Sequence, residues 1–173
     1  MNKNGIFAQL KEFFADMAGK NRFERADFVL LKAALMLAAV DGDVSEDEVA
    51  HFKDFAAKCR GYSGESFGDL WENAMRSAGY LLLQSRFLSR DELVEAFVKE
   101  SEGDFVGEAI QETSAERNRA FKFLERMAMA DGEYSEIERA CIAALMQRVK
   151  AERERILAER YSRAAYIVPN TLH

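Results

Sequence analysis

Leu37-Ala-Ala-Val-Asp41-Gly-Asp-Val-Ser-Glu-Asp-Glu48 has a counterpart further along the chain in Met127-Ala-Met-Ala-Asp131-Gly-Glu-Tyr-Ser-Glu-Ile-Glu138. Each stretch runs from small apolar residues into Asp-Gly and then into Ser-x-x-Glu. The first part has helical apolar spacing, glycine is the commonest residue just past a helix C-terminus, and Ser-x-x-Glu is the capping-box pattern that starts a helix. Asp, Gly, Ser and the last Glu return in place, with Asp43 matched by Glu133. A duplication of this kind predicts two helix–turn–helix repeats, each with carboxylates at its corner.

Working outward, the flanks are helical too. Phe28, Leu31, Leu35 and Ala38 form the stripe leading to the first corner, after a possible cap at Asn21 to Glu24. Val49, Phe52, Phe55, Ala56 and Cys59 form the buried face after it. Gly61 and Gly64 bracket a loop. Trp71, Met75, Ala78 and Leu82 continue as a further helix, with Tyr80 and Leu81 beside them. Ser89-Arg-Asp-Glu92 starts another, through Leu93, Phe97 and Val98, and Gly103 breaks the chain before a short segment at 105–110. Thr113-Ser-Ala-Glu116 opens the helix that carries Ala120, Phe121, Leu124 and Ala128 to the second corner. Beyond that corner Ile142, Leu145, Met146 and Val149 face inward. The last helix runs on to Ala165, with Arg155, Glu159 and Arg163 spaced to pair along it. Ile6, Leu10, Phe13 and Met17 make residues 1–20 an amphipathic helix whose mixed charges favour docking on the core over lying on a membrane. The expectation is therefore an all-α single domain over 1–173, a compact bundle of about seven to eight helices. Its repeat-bearing core spans 21–149, and an extension and tail occupy 150–173.

With 49% apolar residues and one proline, Pro169, the chain is neither disordered nor strand-rich. A net charge of −6 leaves no basic field for phosphates, so nucleic acid is not expected as a partner; cations or a basic protein surface suit it better. Cys59 and Cys141 are isolated and read as buried thiols in a reducing cytoplasm. Phe28 to Val40, the most apolar run, is interrupted by Lys32 and is too short to span a bilayer. The start of the chain lacks a signal-peptide core. A soluble, cytoplasmic protein is the expectation.

The corners have a purely structural reading, in which Gly42 and Gly132 end helices while Ser45 with Glu48, and Ser135 with Glu138, cap the next ones. Two features resist it. Asp41 and Asp131 sit at helix C-termini, where the macrodipole disfavours an anion by about 0.3–1 kcal/mol. On a wheel of about 100° per residue Glu48 falls near Phe52, and Glu138 near Ile142, so both carboxylates lean toward the core. A carboxylate there needs a capped amide, a basic partner or a metal. Asp41-x-Asp43-x-Ser45 begins like an EF-hand loop, but Glu46 stands where glycine is needed and Phe52 where the bidentate Glu belongs. Glu48-Val-Ala-His51 has the Glu-x-x-His spacing of a di-iron ligand pair, yet the matching Glu138-Arg-Ala-Cys141 lacks the second histidine. No Gly-x-Ser-x-Gly elbow, triad or phosphate loop is present. Oxygen-only ligands favour Ca²⁺, Mg²⁺ or Mn²⁺ over Zn²⁺.

A helix ending in Ala-Ala-x-Asp-Gly-x-x-Ser-x-x-Glu, given twice in one helical domain, resembles the TerB family of tellurite-resistance proteins. The likeness covers roughly 21–149. It implies a bundle with an acidic, metal-associated face, Asp41, Glu48, Asp131 and Glu138 as candidate ligands, and Asp43 and Glu133 as auxiliary groups. It further implies a non-enzymatic scaffold in a tellurite or chemical-stress response. That scaffold would have a protein partner such as a TerC-like membrane protein and would sit at the periphery of the inner membrane. The rival expectations are a helical adaptor whose corners are caps only and, on Glu48 and His51 alone, a metal-dependent enzyme.

Overall fold

Ten consecutive residues, Leu31 to Val40, are all buried, and the architecture follows from covering them. A helix apolar on every side has to be surrounded. In the computed structural model, which describes residues 25–42, 45–58, 67–130 and 132–166, this helix is α1, Arg25–Val40. It is followed by α2 (Glu46–Lys58), α3 (Phe67–Gln84), α4 (Arg90–Ser101), α5 (Ser114–Ala128) and α6 (Glu136–Tyr166). All the other five pack on α1. α4 also lies against α6, α5 against α6, and α2 against α5, so the helices flanking the two corners interlock.

The fold is all-α, with no strand among the described residues. Among the described residues there are six helices of at least twelve residues, against seven to eight expected for the whole chain. The sequence expectations for the helix at 1–20, the cap at 21–24, Asp43, Cys59, the loop at 61–64, Asp131 and the tail from 167 fall outside the described residues, as do the side chains of Phe55, Ala56 and Trp71. Gly103 does not break the chain. Instead α4 widens into a π-helical turn, Glu102–Val106, and tightens again over Gly107–Ala109.

The apolar stripe of α3 is displaced from the expected one. Ala74, Ser77, Ala78 and Leu81 are buried, while Met75 and Leu82 are only partly so. Small residues at 74, 77 and 78 let α3 approach α1 closely, and the larger side chains flank that contact. Met146, expected to face inward with Ile142, Leu145 and Val149, is 46% exposed, while Cys141 is buried.

Lys32 lies on the hub helix with its ammonium 2.6 Å from Asn73 Oδ1 and 2.5 Å from Asp104 Oδ2. A cation this buried is tolerable only with such partners. The pair ties α1 to α3 and to the π turn. Arg117, also buried, donates to the Ala109 and Glu112 carbonyls and to Ser114 Oγ, satisfying helix-end acceptors before α5.

Candidate metal corners

The two corners are built alike. α1 ends at Val40, and Gly42 takes φ +79° with its N–H on the Ala39 carbonyl at 3.2 Å. α5 ends at Ala128, and Gly132 takes φ +85° with its N–H on the Met129 carbonyl at 3.0 Å. This left-handed conformation is one that residues with a Cβ adopt at a cost. Beyond the first glycine the Ser45 N–H donates to Glu48 Oε2 at 2.7 Å while the Glu48 N–H donates to Ser45 Oγ at 3.1 Å. Ser135 and Glu138 repeat the exchange at 3.0 and 3.3 Å, with the Ser135 hydroxyl also on Oε2.

The same capping box starts α4, from Ser89 and Glu92, and α5, from Thr113 and Glu116. There the glutamates are exposed, and hydrogen bonds from the cap residue hold their carboxyls below the usual range. Capping alone thus places a glutamate in water. At the corners the capping glutamates are buried, Glu48 at 4% exposure and Glu138 at 2%. Burial first, then the charges of Asp41 and Glu138, push the Glu48 carboxyl up to about 8 against the pull of the Ser45 N–H. Glu138 also raises the Cys141 thiol, which burial has already pushed up, to about 12. Glu48 therefore sits within electrostatic reach of a carboxylate from its own corner and of one from the other corner.

Of the six acidic residues singled out in the sequence, Glu48 and Glu138 are buried at the corners, Asp41 is exposed beside Glu48, and Glu133 is exposed. Asp43 and Asp131 are outside the described residues. Among the described residues, no three His, Cys, Asp or Glu side chains already stand close enough to share one ion. His51 is exposed and its Nδ1 meets the Asp47 carbonyl of its own helix at 2.9 Å, whereas Glu48 faces inward, so the Glu-x-x-His pair does not converge. Lys32 and Arg117 went unnoticed as buried cations in the sequence. For Lys32 the signal was a lysine inside the most apolar run.

Among the described residues no helix is long and apolar enough to cross a membrane. The family model described as Tellurite resistance protein TerB matches residues 29–160. Neither a curated protein nor a solved structure matches the chain.

Proposed function

The chain belongs to the TerB family, and on that premise we propose a non-enzymatic module that binds a divalent cation where its acidic corners face each other. Asp41, Glu48, Asp131 and Glu138 are the ligands of this reading, with Asp43 and Glu133 in support. The observation that carries it is the contrast among the four capping boxes. Two keep their glutamate in water, while Glu48 and Glu138 are buried and repel each other. A divalent cation relieves that repulsion and holds the two hairpins in one relation. The donor set fits the group. Ser45 and Ser135 bond Oε2 of Glu48 and Glu138, and carboxylate oxygens such as these would hold a hard cation. Carboxylate ligands favour Ca²⁺, Mg²⁺ or Mn²⁺, and Zn²⁺ ranks below them with His51 turned outward.

The family supports a scaffold role in a tellurite or chemical-stress response, on the cytoplasmic side of the inner membrane beside a TerC-like partner. A second reading, a helical adaptor with no metal, draws support from the hydrogen bonds themselves, since all four caps are complete without an ion.

Thermal melts separate the two. Metal-stripped protein is heated alone and with Ca²⁺, Mg²⁺, Mn²⁺ or Zn²⁺, beside the double variant Asp41→Asn, Asp131→Asn. A rise of several degrees with one ion, absent in the variant, is the expected result. No rise with any ion would leave the corners as folding devices and favour the adaptor.

A further inference from the structure

α3 turns one face to the hub and the opposite face to solvent. Ala74, Ser77, Ala78 and Leu81 are buried, whereas Glu72, Arg76, Gly79, Leu83 and Arg86 are exposed. These five recur at alternating spacings of four and three residues. With Tyr80 and Phe87 they fall within an arc of about 120°. The helical path carries on past Gln84 to include Arg86 and Phe87. The Ser85 N–H donates to the Leu81 carbonyl at 2.8 Å and the Leu88 N–H to the Gln84 carbonyl at 2.9 Å.

The apolar part of this face is large. Tyr80 is 44%, Leu83 53% and Phe87 75% exposed. Single apolar side chains in water are ordinary, but a group of them on one face marks a contact surface. Gly79 stands in the middle. Glycine weakens a helix interior relative to alanine, and nothing inside the chain asks for it, since a Cβ there would meet no neighbouring atom within 4 Å. What the missing side chain permits is the close approach of another helix.

Charge decides which helix. Glu72 lies seven residues before Gly79 and Arg86 seven after it, each about 10 Å away along the axis. Among the described residues the side chains of Glu72, Arg76 and Arg86 form no ion pair. A second α3 laid antiparallel over the first, Gly79 on Gly79, brings Glu72 of each copy to Arg86 of the other. Twofold symmetry makes both pairs at once. Leu83 then lies against the apolar stem of Arg76 from the other copy, and Tyr80 and Phe87 close the flanks. A parallel pairing would instead set Glu72 on Glu72 and Arg86 on Arg86.

We propose that the outer face of α3 is a self-association surface, on which a second copy of this chain docks antiparallel about Gly79. The contact is one helix wide, so the dimer is weak and forms with rising concentration. It does not depend on a cation at the corners.

Analytical ultracentrifugation of the full chain in the presence of a chelator, from micromolar to millimolar, tests it. Wild type is expected to pass from monomer to dimer. Gly79→Leu fills the crossing point with a side chain that has room in the monomer. It is expected to abolish the dimer without lowering the melting temperature measured at micromolar concentration. Glu72→Arg and Arg86→Glu each set like charges opposite one another at both ends, and singly are expected to weaken association about tenfold. Combined in one chain they are expected to restore it. A photo-crosslinker at position 83 in otherwise wild-type protein is expected to label residues 72–79 of another copy. A wild-type monomer at every concentration would overturn the proposal. So would a dimer indifferent to Gly79→Leu, one that the double exchange fails to restore, or adducts that reach residues 1–24 in place of α3.

Discussion

Glu48 makes the buried corner measurable through pH. Its carboxyl ionises near 8 in the folded protein, chiefly because it is buried, and near 4.5 once unfolded. Between those values the native state holds a proton that the unfolded state has released, so stability falls as pH rises. The contribution is fully present below about pH 4.5 and lost as pH climbs through about 8. The gap of about 3.5 pH units, at about 1.4 kcal/mol each, sets a ceiling of about 5 kcal/mol. That is a large part of the roughly 5–15 kcal/mol that holds a domain folded. Glu48→Gln keeps an oxygen for the Ser45 N–H, 2.7 Å away, but cannot ionise. Urea unfolding of both proteins in the presence of a chelator, at intervals from pH 5 to 8.5, isolates the effect, since every other titrating group is shared. The variant is expected to match wild type near pH 5 and to exceed it increasingly toward pH 8. Glu92→Gln serves as the control, its difference from wild type staying constant across pH 5 to 8.5. The Glu92 carboxyl is exposed and held low by Ser89, so its contribution is present above about pH 4.5 and lost as pH falls through its lowered folded value. Parallel stability curves for wild type and Glu48→Gln would refute the account of a carboxyl kept neutral by burial and its neighbours.

Gly42→Ala and Gly132→Ala both force a Cβ into the left-handed region, at about 1–2 kcal/mol each. Gly42→Ala is expected to be the worse, because its Cβ would lie 3.1 Å from Ser85 Oγ, which is held by the Leu82 carbonyl. Adding Ser85→Ala should bring the two costs together in urea unfolding. Asp104→Ala leaves the Lys32 ammonium buried without its counter-charge and is expected to cost about 3–5 kcal/mol. Lys32→Met is expected to cost less, since Asp104, at 30% exposure, can return to water. In a Cys59→Ser background Cys141, buried with its thiol pushed up to about 12, is expected to react with a thiol reagent only as fast as the protein unfolds.

What the sequence revealed and what it hid have separate physical causes. The hub helix was legible because Leu31 to Val40 is apolar on all sides, and the corners because Asp-Gly and Ser-x-x-Glu are local chemistry that neighbouring residues satisfy. All four capping boxes form where their motifs stand. In α3 the expected Ala78 is buried, but Ala74 and Ser77 share its contact in place of the larger Met75 and Leu82, because small side chains permit the close approach to α1. At Gly103 low helix propensity suggested a break, but tertiary packing kept the chain helical by widening the turn. Met146 has the right period for the core and the wrong side of α6. For the site, the linear motif named the acids, but the mutual influence of Glu48 and Glu138 arises only from the packing of α1 and α2 against α5 and α6. Periodicity within one helix carries no record of that.

Because the hub is the first described helix, chain order has a consequence for synthesis. α1 is made before the helices that cover it, and α6, which packs on it, comes last among them. At about 5–20 residues per second, the wait for the last covering helix is on the order of ten seconds. Throughout it a sticky cylinder must be shielded by provisional contacts or by a chaperone. A circular permutant that delivers the hub last would shorten that wait, and its yield without chaperones would show how much the natural order costs the nascent chain.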